Sequence, residues 1–310
     1  MDRTIFDGLA TQVRNWERWG PEDARGTLNH IGGEALRRAA GEVRVGKSFS
    51  LGLPFDKDGP QLGTYRTNPK LRMTHVATPF RANGDATMSD DVIEMPLQCA
   101  TQWDSLAHVH YDGMLYNGCK VCDTLSEAGA SKQGIENLAT PGIVSRGVLV
   151  DVARWRGVDR LPHDHAISVD ELREVLAHQN VEVLPGDIVL IRTGHIRYFT
   201  VDHDRATFNT AGAGLHATCA EWLHETSAAA VAADNLAVEQ INLAAFQDGM
   251  PLPLHMLCLR DMGMPLGEMF VLDALAEDCA ADGRYSFMLS GSPLPFTNAV
   301  GSPVNPIALK

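Results

Sequence analysis

Three short apolar runs constrain the fold of this chain more than any other feature. They are Gly147–Val152 (GVLVDV), Ile188–Arg192 and Ala228–Ala233. Each is too short for a stable helix, and each reads as a strand buried on both faces. The segments between them have a different period. Ser168-Val169-Asp170-Glu171-Leu172 is a capping box that opens a helix running to about Asn180. Pro185-Gly186-Asp187 is a turn signal, and Leu215–Thr226 carries apolar residues at helical spacing. Leu272–Ala281 reads as a helix ended by Asp282-Gly283, and Phe287–Leu289 begins a last strand. Strands alternating with helices argue an α/β fold.

The first 90 residues are irregular and rich in Gly, Pro and Asn. Within them only Gly33–Gly41 reads as one short helix, and Asn15–Ile31 reads as loop with helical turns. No repeat, low-complexity run or linker divides the 310 residues, which predicts one domain over 1–310.

Charge and composition exclude several classes. The formal net charge is −13, and no Lys/Arg cluster offsets it, so nucleic acid and anionic membrane surfaces are poor partners. A small molecule held in a pocket is the expected partner. No run of about 18 apolar residues exists to span a membrane. The opening Met1-Asp2-Arg3-Thr4-Ile5-Phe6-Asp7 lacks the apolar core of a signal peptide. Six cysteines are sparse for a chain of this length, so a reduced, cytoplasmic protein is expected.

The segment with the most chemistry is Gln98-Cys99-Ala100-Thr101-Gln102-Trp103-Asp104-Ser105-Leu106-Ala107-His108. Two amides, a carboxylate and an imidazole all fall on even positions, so an extended strand would put them on one face. Ten residues of strand span about 33 Å, too far for one site. A continuous helix would turn Gln102 and Asp104 roughly 200° apart. A strand end running into a turn brings Gln98, Gln102 and Asp104 together, with His108 one step away. The apolar neighbours Trp103, Leu106, Ala107 and Val109 argue against a solvated loop. Polar groups in such a setting need partners, and a metal ion would be one.

This segment resembles the signature of the cyclase family of metal-dependent hydrolases, to which bacterial kynurenine formamidase and isatin hydrolase belong. That signature is His-x-Gly-Thr-His-x-Asp with another His four residues on. Thr101, Asp104 and His108 match it. Gln98 and Gln102 stand where the family has histidines, and Ala100 where it has Gly. A Gln-x-x-x-Gln-x-Asp-x-x-x-His form is similar to the trans-dienelactone hydrolase branch. Asn15-Trp16-Glu17-Arg18-Trp19-Gly20-Pro21 with Gly26-Thr27-Leu28-Asn29 resembles the family's N-terminal signature in this branch. His255, Gly263 and Glu268 resemble its distal motif, and Gly301-Ser302-Pro303-Val304-Asn305-Pro306 its C-terminal ending. The likeness covers most of the chain.

The resemblance implies a swivelling β/β/α-like single domain, with a mixed sheet and flanking helices, that forms homo-oligomers. It also implies metal ligation by Gln98, Gln102, Asp104, His255 and Glu268. Exchanging His for Gln leaves the charge of the site unchanged but replaces a nitrogen by a hard carbonyl oxygen, which makes Mn2+ more competitive with Zn2+. Zn2+ is the first expectation and Mn2+ the alternative. A bound metal acidifies water and polarises a carbonyl. His108 then reads as the catalytic proton shuttle. Opening of a lactone such as a dienelactone is the expected reaction. The alternatives are amide or formamide hydrolysis, or a binding protein that kept the fold and lost catalysis. Trp103 and the pair Asp234-Asn235, which follows an apolar run, read as substrate contacts. Cys119-Lys120-Val121-Cys122 has no second cysteine pair to complete a zinc site. His110 should point away from His108, and His163 and His165 should contact solvent. No Gly-x-Ser-x-Gly elbow, His-Glu-x-x-His or P-loop is present.

Overall fold

A computed structural model describes residues 1–82, 84–242 and 250–310 of the chain. Among these residues, nine strands form one mixed sheet. They are β1 (Ser48–Ser50), β2 (Gln102–Asp104), β3 (Val144–Asp151), β4 (Ile188–Arg192), β5 (Ala230–Ala233), β6 (Leu266–Glu268), β7 (Ser286–Ser290), β8 (Gly301–Pro303) and β9 (Ile307–Leu309). Their order is β1-β9-β7-β3-β4-β5-β6-β2-β8. The central strands β3 to β6 are parallel, and the flanks are antiparallel.

The parallel centre follows from composition. Val148–Val150, Ile188–Ile191 and Ala230–Ala233 are completely buried, as expected for strands covered on both faces. The α/β expectation therefore holds. The helix after β3 spans Val169–His178, and Ser168 Oγ accepts from Glu171 N–H at 3.2 Å. The reciprocal half of the capping box does not form. Glu171 instead turns its carboxylate to Arg156 at 2.6 Å and His165 at 2.8 Å. Gly33–Ala40 is the short helix expected there. Asp273–Asp282 ends at Gly283, whose left-handed φ of +71° suits glycine.

Three expectations need correction. Leu215 lies in a short ladder parallel to Ile167, so the following helix begins only at Cys219. Phe287–Leu289 is not in the last strand, because β8 and β9 follow. The first 90 residues also hold an unexpected strand. Lys70–Pro79 pairs with Thr87–Glu94 in a two-stranded ribbon with two register shifts, separate from the main sheet. Both its strands are almost wholly exposed, including Leu71, Met73, Val76 and Ile93. Among the described residues, no helix is long and apolar enough to cross a membrane.

Candidate metal and active site

The site forms where β2 meets β6. Their antiparallel register sets Gln102 opposite Glu268 and Asp104 opposite Leu266. Alternation then puts Gln102 and Asp104 on one face, beside Glu268. His255 ends the short helix Pro253–His255 and projects its ring into the same space. Its Nε2 lies 3.2 Å from Glu268 Oε1 and 3.8 Å from Asp104 Oδ2. The Gln102 amide donates to Glu268 Oε2 at 2.8 Å and to Asp104 Oδ1 at 3.2 Å. After Asp104 the chain turns, which leaves His108 Nε2 3.8 Å from Asp104 Oδ1.

A second layer fixes these groups. Glu239 accepts from the backbone N–H of Leu254 and His255, and it meets His255 Nδ1 at 2.7 Å. His255 is thus oriented with Nε2 toward the cluster, the arrangement a metal-ligating imidazole needs. A π-helix, Met256–Met262, follows His255 and ends at Gly263, also left-handed at φ +71°. The N-terminal segment supplies donors to its end. Trp16 Nε1 donates to Arg260 O at 2.8 Å, Asn15 Nδ2 to Met262 O at 3.0 Å, and Thr27 N–H to Gly263 O at 2.8 Å. These bonds satisfy carbonyls that a helix terminus leaves open. Thr101 braces β2 in the same way, donating to Met269 O at 2.6 Å and accepting from Leu53 N–H at 2.8 Å.

Electrostatics make the cluster favour a positive charge. Asp104, Glu268 and Glu239 are three buried carboxylates around one imidazole. Burial raises the Asp104 carboxyl to about 6, opposed by the nearby His108. Burial disfavours the His255 cation, but Glu239 and Glu268 together outweigh that and hold it near 10. Burial lowers His108 from the usual histidine range. Gln102 Oε1 and Asp104 Oδ2 are buried without a hydrogen-bond partner. One ligand atom each from Asp104, His255 and Glu268 lies within 4.8 Å of the others. Buried oxygens without partners beside an oriented nitrogen fit a divalent cation.

The cluster opens into a cavity of about 530 Å³. His108, His255 and Glu268 reach its wall, together with Arg66, Leu236 and Leu252. Gln98 lies over Gly301, the residue opposite Asp104 on β8, where a Cβ would come 2.5 Å from Gln98 Nε2. Gln98 thus stands beside the strand that pairs with Asp104.

Trp103 is a correction. Strand parity turns it to the opposite face, where it is fully buried against Phe270 and donates to Gly291 O at 2.6 Å. Asp234 and Asn235 are also buried away from the cavity. Asp234 accepts from Thr193 N–H, Thr193 Oγ1 and Gly194 N–H, and Asn235 holds the turn over Ala237 and Val238. Their neighbours Leu236 and Ala237 form the wall instead. His110 is exposed. His163 and His165 are half-buried, stacked on Tyr198 and bonded to Glu171 respectively, so neither is the solvent-facing loop residue expected. Cys119 and Cys122 are free thiols. Glu239 and Arg66 were not legible as site residues. Their only signal is a carboxylate in the apolar stretch after Leu236, and a lone Arg in an irregular loop.

Comparison with known proteins agrees with this architecture. The Cyclase family model matches residues 49–240. A crystal structure of a novel cyclase is 41% identical, with 96% of this chain and all of that chain covered at a TM-score of 0.88. An isatin hydrolase bound to the product analogue thioisatinate is 18% identical over 91% of this chain and 98% of that one, TM-score 0.62. Isatin hydrolase A from Ralstonia solanacearum is 17% identical over 85% and 92%, TM-score 0.62. Among curated proteins, none matches the sequence. The family match spans more than half of the chain, and a solved cyclase structure 41% identical to it shares the fold; the chain belongs to the Cyclase family.

Proposed function

We propose that this chain is a metal-dependent hydrolase that opens a lactone ring of the dienelactone kind. The observation that carries the reading is the buried Asp104, His255 and Glu268 cluster, which meets a cavity at His108. Asp104, His255 and Glu268 would hold the ion, with Gln102 beside them. Two oxygens and one nitrogen suit Zn2+ first and Mn2+ second. When bound, such an ion supplies Lewis acidity, polarising a carbonyl and acidifying water.

The chain's own residues do the rest. His108 faces the cavity with its side chain 20% exposed, so it can take a proton from the attacking water. It can then return that proton to the ring oxygen as the carbonyl carbon–oxygen bond breaks. His255 is held by Glu239 and is not free for that role. Apolar walls at Val109, Leu236 and Leu252 suit a small ring.

Exhaustive chelation is expected to abolish lactone turnover, and Zn2+ or Mn2+ to restore it; activity retained without metal would sink the proposal. Running a dienelactone beside N-formylkynurenine separates lactone from formamide hydrolysis. One observation favours a metal-free binding protein. The Gln102 amide already bridges Asp104 and Glu268. Elemental analysis of the purified protein decides between these readings.

Glu239→Gln tests the second layer. It keeps the shape but removes the charge that orients His255, and metal affinity is expected to fall about 10–100-fold. Competition against a fluorescent chelator measures this. An unchanged affinity would show that Glu239 serves only the local backbone.

A further inference from the structure

Arg66 lines the cavity and, among the described residues, is the only Arg or Lys of its wall. It comes from the loop before the exposed ribbon and is half-buried. One of its N–H groups, Nη1, donates to Gln98 O at 3.2 Å, and its guanidinium lies 5.5 Å from the Tyr65 ring centroid. Among the described residues, no carboxylate lies within ion-pair distance of it. Most of its five donors are therefore open to a ligand.

We infer that Arg66 is the specificity-determining residue of this cavity and binds a carboxylate that the substrate carries away from the bond being cut. The substrate part of this inference rests on the hydrolase reading above. The charge pattern supports it. The chain carries a net −13, and Glu268 brings a carboxylate to the described wall of the cavity. Among the described residues of the wall, Arg66 is the cation with which a substrate anion can pair away from the bond being cut. A planar guanidinium edge matches the two oxygens of a carboxylate. A phosphate dianion fits less well, because no second cation lines the wall to share its charge. Gln61, Thr64 and Asn209 add polar groups to the wall.

The test uses a five-membered enol lactone bearing a carboxylate, and the same ring with that carboxylate made into a primary carboxamide. Both are assayed on the metal-loaded full chain, wild type, Arg66→Met and Arg66→Lys. The wild type is expected to favour the carboxylate. Arg66→Met should raise KM for it about 10–100-fold, leave kcat nearly unchanged and leave the carboxamide unaffected. Arg66→Lys should recover part of the loss. Equal effects on the two compounds, or none on either, overturn the inference. If the wild type turns over neither compound, the hydrolase reading fails on its own. Equilibrium binding of the same pair then decides the role of Arg66. A carboxylate preference lost in Arg66→Met supports it, and no preference overturns it. Melting temperatures of the variants guard against a folding defect.

Discussion

Asp104→Ala is expected to remove metal and activity together. Asp104 is fully buried, and Glu268, His255, His108 and Gln102 all lie around it. It is the one anionic group that β2 brings to the cluster. Without it, Glu268 and His255 remain as a pair, which is too few protein ligands for a tight site. Losing several kcal/mol of transition-state stabilisation corresponds to a rate drop of about 10³-fold or more. Metal content by elemental analysis and lactone turnover should fall in parallel, with the melting temperature of the chelated protein as the folding control. A variant that keeps both its metal and its activity would remove Asp104 from the site.

His108→Ala is expected to behave differently, keeping its metal and slowing turnover about 10²–10⁴-fold. Its Nε2 is 3.8 Å from Asp104 and faces the cavity, whereas the three candidate ligands converge on one another. Stoichiometric metal with a depressed kcat is the expected signature. Loss of metal in this variant would make His108 a ligand and leave the proton transfer to another group. Read together, the two substitutions separate holding the ion from moving the proton.

The parts of this fold that were legible in the sequence are those where one local force dominates. Ile188–Ile191 is wholly apolar, and the strand Ile188–Arg192 has the bounds that this run suggests. Ser168 caps a helix because its hydroxyl reaches Glu171 N–H. The ribbon Lys70–Pro79 with Thr87–Glu94 was not legible, because neither of its faces meets the core and its apolar residues show no burial-driven alternation. The three-residue strands β8 and β9 are too short to carry a period.

The site was legible to a similar degree. Even positions placed Gln102 and Asp104 on one face, and β2 puts them there. The same alternation turns Trp103 away, so an aromatic beside ligands was a poor guide to the cavity wall. Glu239 had no such signal, because its contact with His255 is made across a turn whose path depends on Asn235. Asp234-Asn235 lay next to the wall in sequence, yet their polar atoms are engaged by backbone groups.

The N-terminal clamp on the π-helix and the strand β8 beside Asp104 bear on when the site can exist. Asn15 and Met262 are bonded across 247 residues, and Asp104 pairs with Gly301. Contacts of such separation form late in folding. During synthesis, about 200 residues must follow Asp104 before β8 emerges, which takes roughly 10–40 s at ordinary ribosomal rates. Over that interval Asp104 lacks its β8 neighbour, although the N-terminal residues that clamp the π-helix are already made. Assembly of the candidate site therefore waits for a strand far from Asp104 in sequence. A cut near either end would dismantle the centre rather than trim a tail.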